Sequence, residues 1–282
     1  MVYLAAVAAL ASGCAVSKKH AVPPGQLRPA LEATKDQLLA RYNEQVRAIQ
    51  SLNAAVNLVP TAGSTYSGVI EEYHDVNGFV LAKRPAFIRV IGQAPVVAKD
   101  VFDMVSDGET FRIFIPSKHK FIVGSTSMMR PAKKSIENLR PQHLLDAFFW
   151  LEIPAGATVL FEESDAAPDR YYILTVVQKD EIERKIWFNR ADISIARLAI
   201  YASGGRLVSD IRYEDWQPVE GAGGFHFPRQ IWLARPHDDY QLKIRITKLA
   251  VNETIPADRF QLAQPPGTEL VRVGESTEES NP

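Results

Sequence analysis

Between residues 53 and 250 the apolar side chains recur at every second position in short runs, and that period admits few folds. In QLKIRITKL, Leu242, Ile244 and Ile246 share one parity, with Lys248 next in the series, while Lys243, Arg245 and Thr247 take the other. A strand turns successive side chains to opposite faces, so a run of this kind has one apolar and one wet face. In SDIRYEDW the same rule sets Ile211 and Tyr213 opposite Arg212, Glu214 and Trp216. Strands are read near 53–59, 66–76, 79–83, 86–92, 101–106, 110–115, 119–123, 157–163, 171–178, 182–189, 194–202, 206–216, 226–234 and 240–250. Turn chemistry separates them: VNG at 76–78, SDG at 106–108, SGG at 203–205, GAGG at 221–224 and HDD at 237–239. Half-wet antiparallel strands joined by short turns predict a curved sheet or open barrel. No repeat of about 20–50 residues recurs, which sets aside solenoids and propellers.

Two segments keep a helical period instead. Over Pro29–Ser51, Leu31, Leu38, Tyr42, Val46 and Ile49 line one face; Glu32, Lys35, Asp36, Arg41, Glu44 and Arg47 line the other. PQHLLDAFFWL at 141–151 opens on a proline suited to a first helical turn and spaces Leu144, Leu145, Phe148 and Phe149 as one face. Two amphipathic helices are expected to cover the apolar side of the sheet.

The amino terminus is of another kind. VYLAAVAALA, residues 2–11, is shorter than the roughly 20 apolar residues a bilayer span needs. It has the length of a secretory signal core, closed by the small residues Ser12 and Gly13. Cys14, the single cysteine, follows directly, and the stretch resembles a bacterial lipobox, although Ala11 stands where leucine is commoner and no Lys or Arg precedes the run. That resemblance implies a signal peptide over 1–13 and a diacylglyceryl anchor on Cys14. With one cysteine there is no intramolecular disulfide, and an attachment thiol needs no partner. KKHAVPPGQLR, 18–28, reads as the end of a tether spanning 14–28. The folded domain is expected over 29–264 and an acidic flexible tail over 265–282, ending in the apolar-free GESTEESNP. A net charge of -1 gives no sign of a nucleic-acid surface.

Catalytic chemistry has little to stand on. Histidines 20, 74, 119, 143, 226 and 237 show no metal-ligand spacing. No nucleophile elbow or phosphate-cradling glycine loop occurs. Glu71–Glu72 and Glu162–Glu163 are adjacent in strands and so point to opposite faces; Glu181 and Glu183 share a parity but sit among Lys179, Arg184 and Lys185, as in a solvated hairpin. The chain reads as a binding protein with neither enzymatic groups nor a cofactor.

Three stretches together resemble the LolA/LolB family of lipoprotein carriers and receptors: LAKRPAFIRV at 81–90, DMVSDGETFRIFIPSKHKFIVG at 103–124, and the closing RLVSDIRYEDW, FHFPRQIWLARP and YQLKIRITKLAVNETIPADRF. The resemblance implies a mainly β fold, an open antiparallel half-barrel whose concave face is covered by an N-terminal helix and a second helix. It implies acyl chains as ligands, lipoprotein or lipid transfer at the outer membrane as the role, and a periplasmic carrier protein as a partner; Cys14 puts the chain on the anchored, receptor-like side, facing the periplasm. Arg84 falls on the KRP motif, where a family arginine helps hold the helical lid. GQAPVVAKD at 92–100 resembles the receptor's apolar loop, with Val96 and Val97 at its tip. The candidate cavity lining is Phe87, Phe102, Met104, Phe111, Ile113, Phe148, Phe149, Trp187, Tyr213 and Ile244. Two other readings use the same fold: an envelope-stress sensor or regulatory binding protein, and a structural lipoprotein with a solid interior.

Overall fold

The computed structural model describes residues 29–64, 69–72, 74–127, 138–165, 170–220, 224 and 226–273. Helix α1 (Lys35–Ala48) precedes β1 (Ser51–Ser64), β2 (Val69–Glu72), β3 (Val76–Lys83), β4 (Phe87–Gln93), β5 (Asp100–Ser106), β6 (Thr110–Ile115) and β7 (Lys120–Ser125). Helix α2 (Pro141–Phe148) follows, then β8 (Thr158–Ser164), β9 (Tyr171–Gln178), β10 (Glu181–Asn189), β11 (Ile195–Ala202), β12 (Arg206–Pro218), β13 (His226–Arg235), β14 (Tyr240–Val251) and β15 (Glu269–Val273). One sheet holds every strand, in the order β15-β7-β6-β5-β4-β3-β1-β14-β13-β12-β11-β10-β9-β8, with β2 beside β1. Its end strands β15 and β8 do not pair, so the sheet stays open. Mainly β, with an open curled sheet and two covering helices, is the architecture the sequence predicts.

Local chemistry explains where elements begin and break. α1 starts at Lys35, later than the expected Pro29, because Thr34 and Gln37 form a reciprocal capping box. Leu31, assigned to the helix face by spacing, precedes that cap and is largely exposed. The segment expected as one strand over 66–76 is divided between β2 and the start of β3, and 65–68 and 73 lie outside the described residues. Pro60 has no amide to donate; it sits in β1 between the stretch paired to β3, ending at Leu58, and the stretch paired to β2, starting at Thr61. Asp215 has φ +56°, which breaks the alternation of β12 and turns Trp216 onto the helix-covered side, 5.8 Å from Trp150. The expected grouping of Trp216 with Arg212 and Glu214 is corrected accordingly.

The sheet extends past residue 264, where the folded domain is expected to end. After β14 the chain crosses the outer face, where Phe260 packs on Phe87 at 5.5 Å and the Arg259 carbonyl accepts from Arg89, itself paired to Asp103. It then adds β15 in parallel to β7, so 269–273 belong to the sheet rather than to a flexible tail. Cys14, the signal and tether segments, and 274–282 lie outside the described residues.

Candidate functional site

The inner face of the sheet is a continuous apolar surface. Val90, Met104 and Ile113 stand in register across β4, β5 and β6, flanked by Ile88 and Phe111, and Ile244 continues the face on β14. Two glycines let aromatic rings lie directly on the backbone. A Cβ at Gly92 would stand 2.4 Å from the Phe102 ring, and one at Gly124 would stand 2.6 Å from the Phe111 ring. Tyr213 on β12 lines the same side, and Phe148 and Phe149 descend onto it from α2. Eight of the ten expected lining residues therefore share this face.

Phe87 and Trp187 do not. In β4 the inner positions are Ile88 and Val90, which puts Phe87 outside beneath Phe260. In β10 the inner positions are Arg184, Ile186 and Phe188, and Trp187 lies outside under the Arg197 guanidinium, 4.6 Å from its ring centre. Large aromatic area suggested a cleft for both; strand parity decides otherwise.

The inner face is covered by a plug. α1 contributes Leu38, Tyr42 and Val46, buried to 0–4 % exposure at helical spacing, while α2 and the segment after it contribute Leu144, Phe148, Phe149, Trp150 and Ile153. Segment 149–153 has no secondary structure to satisfy its backbone, so side chains do so instead. Arg84 donates from Nε to the Ile49 carbonyl at 3.0 Å and from Nη2 to those of Val46 and Trp150 at 3.1 and 2.9 Å, and lies 4.8 Å from the Phe149 ring centre. It thereby joins the C-terminal turn of α1 to the segment after α2, and burial lowers its pKa. Arg184 donates to the carbonyls of Leu151 and Glu152, while its other side is met by Glu183. Tyr42 Oη donates to the Leu151 carbonyl at 3.0 Å, and Asn43 exchanges two bonds with Ile153. Trp150 Nε1 donates to Tyr213 Oη at 2.8 Å, and burial pushes the Tyr213 phenol well up.

Sequence reasoning found Arg84 and missed Arg184, Tyr42 as a donor, Asn43 and Trp150. A signal existed for Arg184: it shares the parity of Ile186 and Phe188, and a charge on an apolar parity needs a partner. Between the plug and the sheet lies a cavity of about 40 Å³, lined by Asp146, Phe149, Trp150, Leu151, Glu183, Arg184, Leu198 and Ile200. Burial pushes the Asp146 carboxyl up to about 6. His143, beside it on α2, bonds Tyr240 Oη at 2.6 Å and is held well below the usual histidine range by burial.

The β4–β5 loop stands apart from this face. The Ala94 amide bonds the Lys99 carbonyl and the Ala98 amide bonds the Ala94 carbonyl, with Ala98 at φ +47°. The tip is thus fixed, and it holds Val96 94 % and Val97 70 % exposed. The acidic pairs do not converge: Glu162 accepts from Thr175, Glu163 pairs with Arg190, Glu181 caps the Gly204 amide and Glu183 meets Arg184. Among the described residues no helix is long and apolar enough to cross a membrane.

No family model matches the chain, and no curated protein sequence does. Solved structures do. The DUF1329 family protein from Desulfovibrio piger is 14 % identical, covers 79 % of this chain and 94 % of its own, and superposes with a TM-score of 0.51. The LolA superfamily protein NE2245 from Nitrosomonas europaea is 14 % identical over 82 % of this chain and 99 % of its own, with a TM-score of 0.49. The domain from Vibrio parahaemolyticus described as a putative outer membrane lipoprotein-sorting protein is 8 % identical over 79 % of this chain and 95 % of its own, with a TM-score of 0.47. What this chain shares with the Desulfovibrio piger protein is the fold, a mainly β open curled sheet with covering helices.

Proposed function

We propose that this protein is a lipid-anchored, periplasm-facing lipoprotein of the outer membrane that takes up acyl chains beneath its plug and passes them to the bilayer. The carrying observation is the kind of cover on the apolar face. Tyr42 and Asn43 tie α1 to 149–153, and Arg84 and Arg184 hang both on the sheet through bonds to main-chain carbonyls, groups that water satisfies when the plug moves. A cavity of 40 Å³ holds a few waters at most and no long acyl chain, so acyl binding there requires displacement of the plug. Val96 and Val97, held outward with Lys99 beside them, would enter the headgroup region at release. Cys14 carries the anchor, and a soluble periplasmic carrier delivers the acyl group.

The test is titration of a fluorescent long-chain fatty acid into the full chain carrying Cys14→Ser. Saturable one-site binding that Phe111→Asp weakens supports the reading. An absence of saturable binding by the unmodified inner face would make that face ordinary core and end the proposal.

A further inference from the structure

On the outer face the pairing registers align one residue from each of five neighbouring strands: Trp187 on β10, Arg197 on β11, Arg212 on β12, Trp232 on β13 and Lys243 on β14. Strand outer faces in water are ordinarily covered by small polar and mixed charged side chains, and this row instead sets two indoles among three cations. Two of the cations are stacked: Arg197 lies 4.6 Å from the Trp187 ring centre and Lys243 lies 4.4 Å from that of Trp232. Stacking holds each charge at the height of its ring. Arg197 is also neutralised by Asp210 at 2.6 Å. Arg212 and Lys243, with Arg245 two residues further along β14, have no carboxylate partner among the described residues. Trp232 is 40 % exposed and Arg212 is exposed. The chain as a whole carries a net charge of -1, so this is charge gathered on one face rather than general basicity.

We infer that this indole–cation row is a docking surface for the headgroup layer of an anionic phospholipid bilayer. Indole and Lys or Arg side chains share that layer for a physical reason: the ring is apolar with one polar edge, and the cation meets lipid phosphate. A row in register across neighbouring strands presents them side by side on the outer face, which suits an extended surface better than a pocketed ligand. The row is also separate from the Val96–Val97 tip, which lies beyond the ends of β4 and β5, strands separated from β14 by β1 and β3. The inference therefore goes beyond acyl transfer: the outer face parks the protein against the bilayer in an orientation set by charge, whatever the inner face binds.

The experiment is vesicle co-sedimentation of the full chain carrying Cys14→Ser, using phosphatidylcholine vesicles with and without a minority of phosphatidylglycerol. Binding is expected to need the anionic lipid and to weaken with added salt. Each cation near such a surface contributes enough that Arg212→Glu with Lys243→Glu should lower binding by at least about tenfold. Arg212→Gln with Lys243→Gln should fall between. Circular dichroism of every variant confirms folding, which these exposed positions are expected to leave intact. Equal binding to both vesicles, or no response to either cation variant, overturns the inference. So does salt-sensitive capture of an acidic polypeptide without vesicle binding, which would give the face to a protein partner. Neither result touches fatty-acid uptake, which the titration above decides separately.

Discussion

Replacing Arg84 by methionine tests whether the plug is a separable cover. Arg84 makes three bonds from its guanidinium to main-chain carbonyls, one of them bridging to Trp150, and lies over the Phe149 ring. Hydrogen bonds to a charged group contribute about 1.5–3 kcal/mol each, and the ring contact about 0.5–1 kcal/mol. The burial that lowers the Arg84 pKa opposes these gains, so the expected net loss is about 2–4 kcal/mol. That loss falls on closure of α1 and 149–153 over the sheet, not on the sheet ladder. Native-state hydrogen exchange should therefore accelerate roughly 30- to 700-fold in Lys35–Ala48 and 149–153, with β1 and β14 retaining their protection. Because a ligand that binds only the open form is weakened by the closed fraction, fatty-acid affinity should rise by up to the same factor. Arg84→Lys, which keeps a charge but loses the planar fork, should lie between. Uniform acceleration through β1 and β14 would mean that plug and sheet unfold together, and the reasoning fails. Unchanged exchange in α1 would remove Arg84 from its assigned role.

Three further outcomes are expected. Asp146 holds its proton more tightly folded, with a pKa of about 6, than unfolded, so stability is full below about pH 4 and falls by on the order of 3 kcal/mol as pH rises through about 6. His143, held neutral, has the opposite sign and costs stability as pH falls below about 6.5; Asp146→Asn should leave only that acid-side loss in urea midpoints measured against pH. Gly92→Ala sets a methyl against the Phe102 ring and should destabilise by about 1–3 kcal/mol in urea denaturation. Val96→Glu with Val97→Glu should leave the melting temperature nearly unchanged, since both side chains are exposed, while transfer of bound acyl chains into liposomes falls sharply; a large loss of stability would refute a membrane role for the tip.

Period-two alternation made the sheet legible because one face of nearly every strand is buried under the plug while the other meets water. Leu242, Ile244 and Ile246 could be read directly for that reason. Legibility fell where the chain departs from even pleating. Asp215 turns Trp216 inward through a left-handed backbone, and a bulge between Ile182 and Arg184 resets the parity of β10. β15 was hidden by its setting: GTELVRVGE lies between a proline pair and an acidic tail, and only the neighbouring β7 edge makes it a strand. Phe87 was misplaced because its cover, Phe260, comes from a segment distant in sequence. Arg84 was recognisable from a motif, whereas the bonds of Arg184 and Asn43 to 149–153 depend on where an irregular segment runs, which no periodicity encodes.

The magnitudes explain how one face can serve as core and as cleft. Burying a large apolar side chain contributes about 1.5–3 kcal/mol, so the group formed by Leu38, Tyr42, Val46, Phe148, Phe149 and Trp150 holds the plug down by roughly 10–15 kcal/mol. Spontaneous opening is then rare, and the apolar face is hidden from water and from other chains. An acyl chain of about sixteen carbons gains about 0.8 kcal/mol per methylene on leaving water, in total on the order of 12 kcal/mol, which is the same size. The bonds of Arg84 and Arg184 to the plug add only a few kcal/mol to that larger apolar balance, so they set the resting position of the plug and shift the balance without dominating it. Apolar cover is thus exchanged for apolar cover. For the proposed uptake, a chain of about eight carbons would supply roughly half the compensation and leave the plug in place, so that proposal predicts selection by the length of the acyl chain more than by its headgroup.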